Sequence, residues 1–321
     1  MNRRAALRWT VGWIAAGSAL ARAQPRPRRV AVLSFAGADL ANALRRELAA
    51  LGYRDRLDIV IEARSADGRN ERLPALADEL VKWNPDVLVA NTTPAVHAAA
   101  AATRAVPIVM AVAGDALATG HVQSLARPGG NLTGLSLALI ELAGKTVSVL
   151  RDAVPRLGRL ACVVHRDDPL HKGFLAEAEA SAQRLRLDFV PVLLQDATAE
   201  LDVAFATANR HRADGMMLQP IVVVPPAQRK RIIELQQQYR MPAISGLRRF
   251  ADDGGFVAYA SEFPDVPRRA AGYVDRILRG ATPGELPIER PTRFDLVINR
   301  QTAAGLGIVI PPAMLAQAQI V

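Results

Sequence analysis

The side chains best suited to chemistry recur at one kind of position, close to the end of a buried apolar run. Ser34 follows VAVL; Asn91, Thr92 and Thr93 follow VLVA; Asp115 follows PIVMAVAG; Asp168 lies in the loop after LACVVH. Gln219 follows GMML, Ser245 and Gly246 follow PAI, and Tyr259 closes GGFVA. Hydroxyls, amides and isolated carboxylates suit the hydrogen-bonding of a small polar molecule better than its cleavage. No G-x-S-x-G, Walker loop, post-strand G-x-G-x-x-G or metalloprotease helix occurs, and the single Cys162 cannot supply the paired thiols of a two-cysteine racemase. The chain is expected to bind and not to catalyse. Thr92 and Thr93 precede Pro94 and an alanine run, so they mark a helix N-terminus, where free N–H groups and the helix dipole favour a carboxylate. Capping the helix is their alternative role. Asp115 could take a ligand ammonium or cap the segment from Ala116, and Tyr259 offers an aromatic wall or plain core packing. His165, Asp167, Asp168 and His171 are metal-ligating types without the spacing of a zinc motif, so no metal and no cofactor is expected.

The elements that position these residues follow a repeated strand, loop, helix syntax. Residues 85–120 hold the clearest unit: VLVA, then Thr92-Thr93-Pro94 opening an alanine helix to residue 105, then PIVMAV. Such a βαβ unit places Asn91, Thr92, Thr93 and Asp115 on one rim, at the carboxyl ends of parallel strands. RRVAVLSF and LDIVIEAR predict strands before it, with helices over residues 40–51 and 72–82, and LTGLSL a strand after it, preceded by a short helix at residues 123–125. The same syntax restarts after Pro155: RLACVVH, LDFVPVLL, DGMMLQP and MPAISG alternate with helices, then GGFVAYA, an amphipathic helix ending at Gly280, and PTRFDLVINR. Two doubly wound parallel-sheet domains result. The extra strand and helix after the second half require several crossings between them, and hence a cleft.

At 321 residues and 50% hydrophobic, the chain can bury two cores. Its formal charge of +9 is uneven: Arg3, Arg4, Arg8 and Arg22 stand before any acid, and without them 36 basic face 31 acidic side chains, a net +5. Basic residues are dispersed among acids, and the runs at residues 26–29 and 229–231 read as solvated surface, so nucleic-acid binding is not expected. Cys162 lies in the apolar LACVV, reads as a buried inert thiol, and has no partner for a disulfide. Residues 1–23 read as a signal peptide, with a basic start, an apolar stretch over residues 9–20 and Ala21-Arg22-Ala23 before Gln24; Arg3-Arg4 partly fits a twin-arginine signal. With no cysteine at the cleavage site, the mature protein is expected in the periplasm, not embedded in the membrane.

Several motifs resemble the periplasmic-binding-protein-like substrate-binding proteins of ABC transporters, including the tryptophan/tyrosine-binding type. They are GYRDRLDIVIEAR with ADGRNERLPALADELV, the NTTPAVHAAAAAT run, PIVMAVAGD, SLARPGGNLTGLS, PAISGLRRFADDGGFVAYA, YVDRILRGATPGELPIERPTRFDLVIN and AAGLGIVIPPAML, spanning residues 28–316. The resemblance implies a type I two-lobed α/β fold with a three-segment hinge: residues 24–143 with 262–290 as one lobe, 144–261 with 291–321 as the other. It implies a chain that closes on a small ligand and delivers it to an inner-membrane ABC permease; the hydroxyls and amides of Thr92, Thr93, Gln219 and Ser245 with the carboxylate of Asp115 suit an amino acid or derivative, and a monomer is expected. A nucleoside or sugar ligand, or a ligand-sensing role in signalling, is the alternative. The chain departs from the pattern at Thr92, where a glycine is usual, and at the loop of residues 166–169.

Overall fold

The apolar runs become the cores of two separate β-sheets in the computed structural model, which describes residues 26–261, 263 and 265–321. In the first domain β1 (Arg28–Ser34), β2 (Ile59–Ser65), β3 (Val87–Asn91), β4 (Ile108–Ala113) and β5 (Leu132–Ser136) are joined through α1 (Asp39–Ala50), α2 (Leu73–Lys82) and α3 (Thr93–Ala102). These strands form an all-parallel sheet in the order β2-β1-β3-β4-β5. The doubly wound arrangement covers both faces, which is why VAVL and VLVA are apolar at every position and fully buried.

The second domain contains α4 (Leu139–Ala153), β6 (Arg159–His165), α5 (His171–Arg184), β7 (Asp188–Leu194), α6 (Leu201–Arg210), β8 (Gly215–Leu218), α7 (Pro220–Val223), α8 (Pro226–Gln238), β9 (Ala243–Ser245), α9 (Arg248–Asp252) and β10 (Val257–Ser261). The chain then forms α10 (Val266–Leu278) on the first domain before returning as β11 (Phe294–Ile298), α11 (Arg300–Gly305), α12 (Pro312–Leu315) and β12 (Gln319–Ile320). The seven strands order as β12-β11-β10-β9-β8-β6-β7, with β10 and β11 antiparallel and all other pairs parallel.

Three crossings join the domains: between β5 and α4, between β10 and α10, and between residues 286–290 and β11. Before the third, the chain runs beside β5, where Ser136 N–H donates to Glu289 O at 2.9 Å and Thr133 Oγ1 donates to Leu286 O at 2.8 Å. The expected division at 143/144 falls inside α4. Because Ala143, Val147, Leu150 and Ala153 pack with Leu160, Phe174 and Ala178, the whole helix stands in the second domain and the crossing lies at residues 137–138. Ala270, Tyr273, Val274 and Ile277 of α10 share a core with Leu44, Leu48, Val89 and Val109 of the first domain.

One further expectation is corrected. No helix forms at residues 123–125, where Ser124 Oγ instead closes a tight turn with the Arg127 main chain. The short α7 and α9 went unread because four or five residues show too little periodicity. The expected signal segment, residues 1–23, lies outside the described residues.

Candidate functional site

A cleft of about 600 Å³ lies where the carboxyl ends of both sheets face each other. Asn91, Thr92 and Thr93 line it from the first domain, Asp168, Gln219 and Gly246 from the second, with Leu137 and Ser261 at the crossings.

Thr92 is the most unusual residue here. It turns the chain from β3 into α3 at φ 81° and ψ 156°, a backbone region that a β-branched residue occupies only under strain. Both its main-chain groups are used: its N–H donates to Val112 O at 2.8 Å and its carbonyl accepts from Val96 N–H at 3.0 Å. Its Oγ1 is buried without a partner. Thr93 does not cap its helix; its Oγ1 accepts from Gly114 N–H at 2.8 Å and ties α3 to the end of β4. A side chain at Gly114 would collide with this hydroxyl at 2.7 Å and with Leu170 of the second domain at 2.5 Å, so glycine is required for the close approach.

Across the cleft, Asp168 is 4% exposed, and its Oδ1 accepts from Leu170 N–H at 2.7 Å. Burial pushes its carboxyl up to about 6, against the opposing pull of the Leu170 amide, His171 and Gln219. Gln219 is held in place by His165 N–H, which donates to its Oε1 at 3.0 Å. A carboxyl that is costly to ionise alone is suited to receive a cation that removes the penalty. At the second crossing, Ser261 Oγ is also buried without a partner. Apolar surface from Val112, Leu137, Pro220, Ile221 and Phe263 completes the walls.

Four residues expected at the site do not line the cleft. Asp115 Oδ1 accepts from Ala118 N–H at 3.0 Å and caps a turn, its alternative role. Tyr259 stacks on Phe294 with ring centroids 6.1 Å apart, the packing role. Ser34 and Ser245 are buried within their strands, and Ser245 Oγ has no partner. Sequence reasoning missed Arg248, Arg249 and Ser261; the last was findable as the small polar residue directly after GGFVAYA. It also misread Arg229 as solvated: the guanidinium is 4% exposed, pairs with Asp253 at 2.6 Å and donates to the carbonyls of Val223 and Val224, satisfying the end of α7. Cys162 is fully buried, which pushes its thiol far up. Among the described residues, no three His, Cys, Asp or Glu come together as a metal site, and no helix is long and apolar enough to cross a membrane.

Two α/β domains joined by three crossings around a polar-rimmed cleft define a solute-binding protein. The chain belongs to the ABC transporter substrate binding protein family, whose model matches residues 31–321. It is similar to the tyrosine-binding protein of Clostridioides difficile (strain R20291), 20% identical over 265 residues covering 79% of this chain and 72% of the relative. Among solved structures it resembles a conserved domain protein from Vibrio cholerae O1 biovar eltor, with TM-score 0.81 and 25% identity over 91% of this chain and 99% of the other. It also resembles an ABC domain from Streptococcus pneumonia in complex with L-Trp, with TM-score 0.81 and 23% identity over 92% and 100% of the two chains.

Proposed function

We propose that this protein is the extracytoplasmic, non-enzymatic receptor of an ABC importer, binding an amino acid between its domains and passing it to an inner-membrane permease. The observation that carries the ligand class is the pairing of buried Asp168 with the N-terminus of α3 across one cleft. Asp168, rather than Asp115, takes the ammonium. The first-turn N–H groups of α3, with the unpartnered Thr92 hydroxyl beside them, take the carboxylate. Gln219, Gly246 and Asn91 frame these ends, and the apolar walls receive the side chain. The names of the tyrosine-binding relative and the L-Trp complex point to the same class. A sugar would be expected to stack on aromatic rings, and Phe263 is the cleft's aromatic among the described residues.

A thermal-shift screen of amino acids, nucleosides, sugars and organic acids, followed by calorimetry of the hits, tests this. A zwitterion should give the largest shift; Asp168→Asn should weaken it at least tenfold, the cost of stranding a desolvated ammonium being about 2–5 kcal/mol. Asp115→Asn should leave it unchanged. A best ligand without an ammonium group would sink the assignment. The mature protein is further expected to begin at Gln24 in the periplasm and to run as a monomer, which N-terminal sequencing and light scattering would check.

A further inference from the structure

His165 ends β6 three residues before Asp168 and is only 5% exposed. Its Nδ1 accepts from the Asp167 main-chain N–H at 3.2 Å. A backbone amide cannot exchange donor for acceptor, so this contact fixes Nδ1 as the unprotonated nitrogen and puts the ring hydrogen on Nε2. The main-chain N–H of His165 also holds Gln219, whose side chain lies on the Asp168 side of the cleft and favours the ionised Asp168 carboxyl.

The other domain reaches the same ring. Asn70 Nδ2 lies 3.1 Å from His165 Nδ1 and 3.5 Å from Nε2. An amide in the ring plane facing one nitrogen would stand far from the other, so the near-equal distances place Asn70 over the imidazole face, where an N–H meets the π electrons of a neutral ring. Asn70 is 8% exposed and its Oδ1 has no partner. The two domains also touch nearby, where a Cβ on Gly68 would stand 3.1 Å from Pro225.

We propose that His165 and Asn70 are positioning residues for ligand capture: neutral His165 pins the turn that carries Asp168 and receives Asn70 from the other domain, so that domain closure and the shape of the Asp168 subsite are set together. This rests on the reading of the cleft as the ligand site. Protonation undoes both contacts, because a hydrogen on Nδ1 would point at the Asp167 N–H and an imidazolium face repels the Asn70 N–H. Asp167 on the same turn, Asp196 after β7, Glu200 before α6 and Glu71 beside Asn70 all favour the charged ring, but burial outweighs them and holds its pKa below the ordinary value. Because Asn70 reaches the ring from the other domain and meets only its neutral face, the ring takes up a proton less readily in the closed form, which favours closure at high pH. Closure then weakens as pH falls below about 6.5, by at most about tenfold per pH unit for one proton.

The test compares wild type with His165→Asn, whose side-chain oxygen can accept from the N–H two residues on as an Asx turn but does not titrate. With L-tryptophan and L-tyrosine as probes, His165→Asn keeps the turn but loses the ring face that receives Asn70, so it should bind about threefold to tenfold more weakly than wild type at pH 7.5, whereas between pH 7.5 and pH 5.5 wild type should lose the larger share of its affinity. Asp168 titrates in both, so the difference between the profiles isolates His165; superimposable profiles would overturn the inference. Asn70→Ala should weaken binding about threefold to tenfold at pH 7.5, and unchanged affinity would remove Asn70 from it. Two readouts need no ligand. Long-range proton–nitrogen correlation spectra of the full chain at pH 8 should show the Nε2–H tautomer, and an Nδ1–H tautomer is incompatible with the pinned turn. Spin labels at Ala50→Cys and Val203→Cys, exposed on α1 and α6, should move apart as wild type is acidified and stay put in His165→Asn. A chain that binds neither amino acid but passes these two tests refutes the ligand reading alone.

Discussion

Thr92 holds a backbone conformation with φ 81° and ψ 156° that glycine adopts freely. Strain of this kind costs about 1–3 kcal/mol, partly offset in the reverse substitution by the greater freedom of glycine in the unfolded chain. Thr92→Gly is therefore expected to stabilise the protein by roughly 1 kcal/mol in urea unfolding while weakening ligand binding, since the unpartnered hydroxyl is lost. Greater stability with unchanged affinity would show that Oγ1 does not touch the ligand. Asp168 makes the opposite trade. Its folded-state pKa of about 6 lies above the ordinary carboxyl value, so its contribution to stability is present below about pH 4 and is lost as pH rises through about 6. Two pKa units amount to roughly 3 kcal/mol. Stability of the ligand-free protein should fall across that window, and Asp168→Asn should flatten it while leaving the ligand-free protein more stable at pH 7.5. A wild-type profile that superimposes on that of Asp168→Asn would mean that water reaches this carboxyl. Residue types announced both positions; the strain at Thr92 and the burial of Asp168 depend on β4, α5 and Gln219, which sequence does not bring near.

Elements show the same division. Strands were legible because a sheet covered on both faces needs continuous apolar runs, and helices because apolar spacing and proline or glycine stops agree. Close approaches between elements were not. Gly134 in β5 has φ 125°, and a Cβ there would stand 2.3 Å from the carbonyl oxygen of Met110 in β4. Gly134→Ala should cost about 3 kcal/mol or more, the effect of a severe core clash, read as a lower urea midpoint with the same slope. Gly272 lies inside α10, and a Cβ there would meet nothing within 4 Å, so Gly272→Ala should instead stabilise by about 0.5–1 kcal/mol through helix propensity. Loss of stability there would mean that the outer face of α10 is not free.

At the scale of the whole molecule, three crossings join two separate sheets, so a change in the relative position of the domains need not unfold either sheet. A bound ligand touching both domains should shift the population toward the closed form. Small-angle scattering should show a smaller radius of gyration with saturating ligand. The unfolding free energy should rise by about 2.7 kcal/mol at a hundredfold excess over Kd. A stability gain with no change in radius would place the ligand on one domain only.

The sequence by itself determined the two α/β halves, the repeated return of the chain between them and the rim on which polar residues collect. These depend on local periodicity and on the rule that parallel strands present their carboxyl ends together. Only the tertiary structure decided which rim residues share a space: Thr92 and Asp168 face one cleft, Asp115 turns back to cap its own segment, Tyr259 packs on Phe294, and Arg229 is buried against Asp253. The physical reason is that residue type and spacing set what a side chain can offer, whereas its direction and desolvation are set by neighbours distant in sequence. Asn70 and His165, 95 residues apart, meet for that reason alone.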